Sequence, residues 1–165
     1  STEIFANDLL NLIRNLNIQE KVILGGMSFG GHTVLQFAYQ FPGLVKALIL
    51  SDTTTNTMPI DPDVPPEIYS ADPGINGCYL AMRQRPDLTM HLKDIEIPAL
   101  IIAGTDDPMI LRNLANLTDN IPRRKLALMK SCFHGTSSQR PDTWNQLVAD
   151  FLEHLDDFEN SEHVV

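Results

Sequence analysis

Five residues, Gly26-Met27-Ser28-Phe29-Gly30, constrain this chain more than any others. Their G-x-S-x-G spacing falls between an apolar run at residues 21–25 and a segment of helical character at residues 32–40. A chain that passes from strand to helix in so few residues must reverse sharply. The reversal is expected to hold Ser28 in a strained backbone conformation with its hydroxyl outward. Side chains two before and two after the serine are expected to collide, so Gly26 and Gly30 leave that space empty, and Gly25 and Gly31 relieve crowding further. The run itself, Val22-Ile23-Leu24 closed by glycines, predicts a strand buried on both faces.

The rest of the chain repeats this alternation. Phe5, Leu9, Leu12, Ile13 and Leu16 recur at spacings of three and four, which predicts an amphipathic helix over residues 2–16, ended by Asn17. Further strands are expected at 46–50, 99–103 and 125–129, and a helix at 109–118. Trp144, Leu147, Val148, Phe151, Leu152 and Leu155 follow the helical period over 143–158, with Asp142 as the expected N-cap. Residues 159–165 read as a frayed tail. Between the second and third strands, residues 53–73 hold five of the eleven prolines, which prevents regular helix or central strand there. A short helix at 75–85 continues this lid-like excursion, which extends over residues 53–93. Strands alternating with helices imply an α/β fold, a mostly parallel sheet flanked by helices, in one domain over residues 1–165.

Charge and composition exclude several classes of partner. Twelve Lys and Arg stand against 21 Asp and Glu, a net charge of −9, which argues against nucleic acid or an anionic membrane surface. Two cysteines, Cys78 and Cys132, are too few for a disulfide framework and read as reduced thiols. No apolar stretch reaches the roughly 18 residues of a membrane helix, and the first residues have no signal-peptide pattern, so a cytoplasmic location is expected. His91, His154 and His163 have no metal-ligand spacing, and neither a P-loop nor a dinucleotide fingerprint occurs, so neither metal nor cofactor is expected.

A serine hydroxyl is a poor nucleophile at neutral pH and needs a base, which needs an orienting acid. Asp107 follows the third strand in Gly104-Thr105-Asp106-Asp107, and His134 follows the fourth in Phe133-His134-Gly135. Both lie at the carboxyl ends of strands, where parallel sheets place their sites. The Phe29 N–H, at the helix N-terminus, is placed to stabilise an oxyanion. Asp52, at the end of the second strand, is the alternative acid. Asp106 reads as a loop or cap residue, His32 as a packed or surface histidine, and Cys132 as a small buried apolar residue.

On Val22–Gly31, on Ile97–Pro108 and on Phe133-His134-Gly135 before a final amphipathic helix, the chain resembles the α/β-hydrolase family. The resemblance implies Ser28 as nucleophile, Asp107 as acid and His134 as base. Its expected activity is that of a serine hydrolase cleaving an ester or related small acyl substrate through an acyl-enzyme. An acyltransferase with the same triad, or a weakly active fragment or binding module that keeps the triad residues, are the alternatives. Met27 stands where the commonest members have His. The family fold usually begins with further strands and a loop that supplies a second oxyanion N–H. The resemblance therefore implies a partial α/β-hydrolase fold lacking the N-terminal strands. Self-association through the exposed outer strand, or pairing with a partner carrying an N-terminal half, is the corresponding expectation.

Overall fold

The computed structural model describes residues 1–56 and 72–165. The excursion expected over 53–93 is thus described only at its two ends, and its proline-dense centre lies outside the described residues. Five strands form one sheet in the order β1-β2-β3-β4-β5, with every neighbouring pair parallel. They are β1 (Val22–Met27), β2 (Val45–Ser51), β3 (Ala99–Gly104), β4 (Arg124–Met129) and β5 (Ser161–Val164). The helices are α1 (Thr2–Asn15), α2 (Phe29–Gln40), α3 (Pro73–Arg83), α4 (Pro108–Leu111), α5 (Leu114–Thr118), α6 (Thr136–Gln139) and α7 (Pro141–Glu153). No helix among the described residues is long and apolar enough to cross a membrane.

The helices cover the sheet on two faces. On one, Ala6, Leu10 and Ile13 of α1 and Val34, Leu35 and Phe37 of α2 pack with Leu48, Leu50 and Ile101 of the sheet. On the other, Phe151 and Leu155 from the last helix and just beyond it pack on Ala47, Ile49, Leu100, Ile102 and Ala127. β3 is buried at all six positions, as a central parallel strand must be. Asn17, with φ 54°, takes the left-handed conformation that Asn tolerates and ends the turn after α1.

Four expectations are corrected. β1 is not buried on both faces: Val22, Leu24 and Gly26 are half-buried, while Ile23 and Met27 are exposed. It is the first strand of the sheet, and its outer edge pairs with none of the described residues. The tail at 159–165 is not frayed but supplies β5, which pairs Lys125–Leu128 with Ser161–Val164. Asn160 fixes it by accepting the Arg124 N–H and donating to the Pro122 carbonyl, both at 2.9 Å. The helix at 109–118 is two helices, broken at Arg112 and Asn113. Finally, α7 begins with Pro141 and has Arg140 at its N-cap; Asp142 lies in the first turn, where the helix dipole favours its charge although it does not cap.

Two buried contacts tie the sheet edge together. A Cβ on Gly104, the last residue of β3, would overlap the Cys132 carbonyl and lie 2.8 Å from the Phe133 carbonyl oxygen. His32, fully buried in the first turn of α2, lies with Nε2 2.9 Å from the Pro86 carbonyl, which makes that nitrogen the donor. Burial, aided by the nearby Arg85 guanidinium, lowers the His32 pKa to about 4 and keeps the ring neutral.

Gly104→Ala is therefore expected to cost about 1–3 kcal/mol, read from the urea midpoint, because backbone rather than a side chain must yield. His32 titrates lower in the folded chain than in the unfolded one. Stability is full above about pH 6.5 and falls as pH drops toward 4, by at most about 3 kcal/mol from this group. His32→Gln keeps a donor for Pro86 and removes the titration, so its stability profile should be flatter than that of the natural chain over this window. Parallel profiles would contradict the assignment.

Candidate active site

β1 ends at Met27 and α2 begins at Phe29, so Ser28 alone makes the turn. Its backbone has φ 52° and ψ −119°, a conformation costly for any residue with a side chain. Three hydrogen bonds hold it. The Ser28 N–H donates to the Ser51 carbonyl at 2.9 Å, extending the pairing with β2. The Ser28 carbonyl accepts from the His32 N–H at 3.3 Å and from Thr53 Oγ1 at 2.6 Å. A Cβ on Gly26 would overlap the Gly30 carbonyl, as expected. Gly30 itself has open space around it, so the second close approach is elsewhere: a Cβ on Gly31 would lie 2.6 Å from the Thr53 side chain. Phe29, as the first helical residue, has no acceptor for its N–H within its own helix. Its ring meets Phe5 edge-on at 5.6 Å, which fixes the start of α2 against α1.

Asp107 and His134 come together as the spacing predicts. Asp107 Oδ2 lies 2.8 Å from His134 Nδ1. Its other oxygen accepts the Met109 and Ile110 N–H groups at 3.0 and 3.2 Å, capping α4. The carboxylate is 1% exposed and the imidazole 28%, so Asp107 is buried and His134 is partly open to solvent. Gln139 clamps the His134 loop by accepting the Phe133 N–H and donating to the Phe133 and His134 carbonyls at 2.9–3.1 Å. Asp106 is exposed, accepts from Thr105 Oγ1, and does not cap the helix. Cys132 is fully buried.

Asp52, the alternative acid, is bonded to a different residue. It ends β2 with φ 48° and is fully buried. Its Oδ2 accepts the Thr136 N–H at 2.9 Å and the Thr136 hydroxyl at 2.8 Å, two residues beyond His134. Asp52 thus holds the loop that carries the histidine, and makes no hydrogen bond to the histidine itself. Ser51 Oγ joins the same group, 3.1 Å from both Thr136 Oγ1 and Trp144 Nε1.

Ser28 and Asp52 share the wall of a cavity of about 280 Å³ with Thr53, Arg85, Met109 and Arg112. Among the described residues, Ser28 Oγ makes no hydrogen bond, so the structure pairs His134 with Asp107 and not with Ser28. Sequence reasoning missed Thr53, Arg85, Thr136 and Gln139. The Thr53-Thr54-Thr55 run at the carboxyl end of β2 is the one signal that pointed there.

A family model described as alpha/beta hydrolase fold matches residues 1–85. Among curated proteins, a 2-hydroxy-6-oxononadienedioate/2-hydroxy-6-oxononatrienedioate hydrolase of Pseudomonas putida is 33% identical over 73 residues, 44% of this chain and 26% of that protein. A proline iminopeptidase of Lactobacillus delbrueckii subsp. lactis is 28% identical over 107 residues, 56% of this chain and 35% of that protein. The matched stretches thus span about a third or less of these relatives. Among solved structures, a thermophilic esterase from Thermogutta terrifontis superposes with TM-score 0.81 at 22% identity, covering 94% of this chain and 73% of that one. A meta-cleavage product hydrolase from Pseudomonas fluorescens gives TM-score 0.76 at 20% identity, covering 93% and 72%. At these identities the structures show the fold, and the share covered makes it a partial one.

The latch between Asp52 and Thr136 predicts that Asp52→Ala costs about 1–3 kcal/mol in urea denaturation, since it removes a buried charged acceptor of two hydrogen bonds. Hydrogen exchange at the Thr136 amide should accelerate in the same variant. An unchanged midpoint together with unchanged Thr136 protection would remove this role.

Proposed function

The chain belongs to the alpha/beta hydrolase fold family, and from that premise we propose that it is a serine hydrolase cleaving an ester or related small acyl substrate. The bond between Asp107 Oδ2 and His134 Nδ1 is the observation that carries this reading. It occupies Nδ1 and leaves Nε2 as the nitrogen that can take a proton. Two N–H groups already hold the other Asp107 oxygen, so the acid is fixed before the imidazole is.

In the proposed reaction His134 Nε2 takes the Ser28 proton as Oγ attacks the substrate carbonyl. The imidazolium is stabilised by the buried Asp107 charge, which stays ionised. The negative oxygen of the tetrahedral intermediate faces the Phe29 N–H at the start of α2, where the helix dipole favours it. His134 then protonates the leaving group, giving an acyl-Ser28 ester. Water, deprotonated by His134, attacks that ester and releases the acid and Ser28. The relatives' names cover unlike substrates, which supports hydrolysis in general and leaves the choice of acyl group to the residues of the cavity.

Hydrolysis of 4-nitrophenyl acetate tests the assignment. Ser28→Ala should abolish it while the urea midpoint stays close to that of the natural chain. Asp107→Asn should lower kcat by about 10²–10⁴, because the acid fixes the tautomer that His134 needs. Asp106→Asn and Asp52→Asn should both fall far short of that loss. Turnover by correctly folded Ser28→Ala, or a severe loss confined to Asp52→Asn, would overturn the roles of Ser28 and Asp107.

A further inference from the structure

Arg85 stands in the wall of the Ser28 cavity and is 5% exposed. Its Nε donates to the Asn56 carbonyl at 2.9 Å and its Nη2 to Thr54 Oγ1 at 3.0 Å. A guanidinium has five N–H groups, so three are left without a partner among the described residues. Among the described residues no carboxylate lies within ion-pair distance, since the one such pair is His134 with Asp107. A brace between Asn56 and Thr54 would need two donors and no charge. Burying an unpaired cation costs several kcal/mol, which a purely structural residue would not require.

The remainder of the cavity wall leans the same way. Arg112 adds a second guanidinium. Among the described residues the one carboxylate there is Asp52, whose Oδ2 is engaged with Thr136 while its Oδ1 is buried without a hydrogen-bond partner. Among the described residues the wall therefore carries two cationic side chains against one anionic one, in a chain whose net charge is −9. The asymmetry is local and opposed to the composition. Met82, Met109 and Ile110 supply the apolar part of the lining. The volume, about 280 Å³, suits a short acyl chain with a polar end better than a long aliphatic one.

We propose that this cavity takes acyl substrates bearing a carboxylate, half-esters of small dicarboxylic acids, and that Arg85 binds that carboxylate through its unused N–H groups. The inference rests on the hydrolase reading, because it names the substrate class of the same site. Arg85 acts in binding and orientation, and it takes no part in proton transfer. A paired guanidinium and carboxylate in this low-exposure setting is worth about tenfold or more in discrimination between charged and neutral acyl groups.

The test compares 4-nitrophenyl hemiglutarate with 4-nitrophenyl hexanoate, in which an ethyl group replaces the carboxylate. The ratio of their kcat/KM values should favour the hemiglutarate at least tenfold. Arg85→Gln should collapse that ratio toward or below one, chiefly through KM, and Arg85→Lys should restore part of it. Gln keeps donors for Asn56 and Thr54, and Lys keeps the charge, so the two variants separate bracing from anion binding. A ratio near one in the natural chain, or equal losses on both esters in Arg85→Gln, would overturn the proposal. A binding arm keeps it independent of the catalytic assignment. Titration of Ser28→Ala with monomethyl glutarate should show saturable binding that dimethyl glutarate lacks and that Arg85→Gln weakens about tenfold. If both glutarate esters bind alike, the proposal fails even where Ser28 proves to be the nucleophile. If only the anion binds, the proposal stands even where neither aryl ester is turned over.

Discussion

The reversal at Ser28 is the constraint from which the rest of the site follows. A strand becomes a helix across one residue, and that residue must accept φ 52°. The strain is held by what surrounds it. Gly26 lets the Gly30 carbonyl lie where a side chain would be, and Gly31 does the same for Thr53, whose hydroxyl in turn bonds the Ser28 carbonyl. The Ser28 N–H is meanwhile taken by β2. Each contact comes from a separate element, so the sheet must be assembled before the turn can be held. What the chain gains is a serine presented at the start of a helix, with the first N–H of that helix beside it.

The same edge of the sheet concentrates the other strained residues. Ser28 and Asp52, at φ 52° and 48°, follow directly on the carboxyl ends of β1 and β2, and Ser131, at φ 54°, lies two residues beyond β4. Only Asn17 among the described non-glycine residues with positive φ lies elsewhere. Strain of this kind persists where neighbouring structure over-determines it. The bonds from the Ser28 N–H to the Ser51 carbonyl, from the Thr136 N–H to Asp52, and from the Ser131 N–H to Thr105 Oγ1 supply that determination. Asp107 is tied to the first turn of α4 and the His134 loop to Gln139, so each side of the hydrogen-bonded pair is held by its own latch.

Much of this was legible in the sequence because it is carried by local patterns. Apolar runs, two of them closed by glycine, marked the four longer strands, and the positions of Asp107 and His134 after two of them marked the hydrogen-bonded pair. What escaped was set by tertiary contacts. β5 has Glu162 and His163 at its centre and forms because β4 offers it an edge, not because its own residues demand a strand. Gly30 matched a motif position without needing to be glycine, whereas Gly31 and Gly104 are required by Thr53 and the Cys132 carbonyl, residues far away in the chain. Asp52 ends a strand as an acid of the site would, and its hold on the histidine loop shows only in its bonds to Thr136. Arg85 lay beside the proline-dense excursion with no motif to single it out, and its meaning appears only with its burial.

The claim that Ser28 is a nucleophile activated by His134 is tested most directly by covalent capture. A fluorophosphonate reacts with an activated serine and spares an ordinary one, and the adduct can be located by peptide mass spectrometry without any knowledge of the substrate. The geometry predicts a single adduct, on Ser28, formed at a rate that drops sharply in His134→Gln. An adduct on another residue, or labelling of Ser28 at the same rate when His134 is replaced, would contradict it.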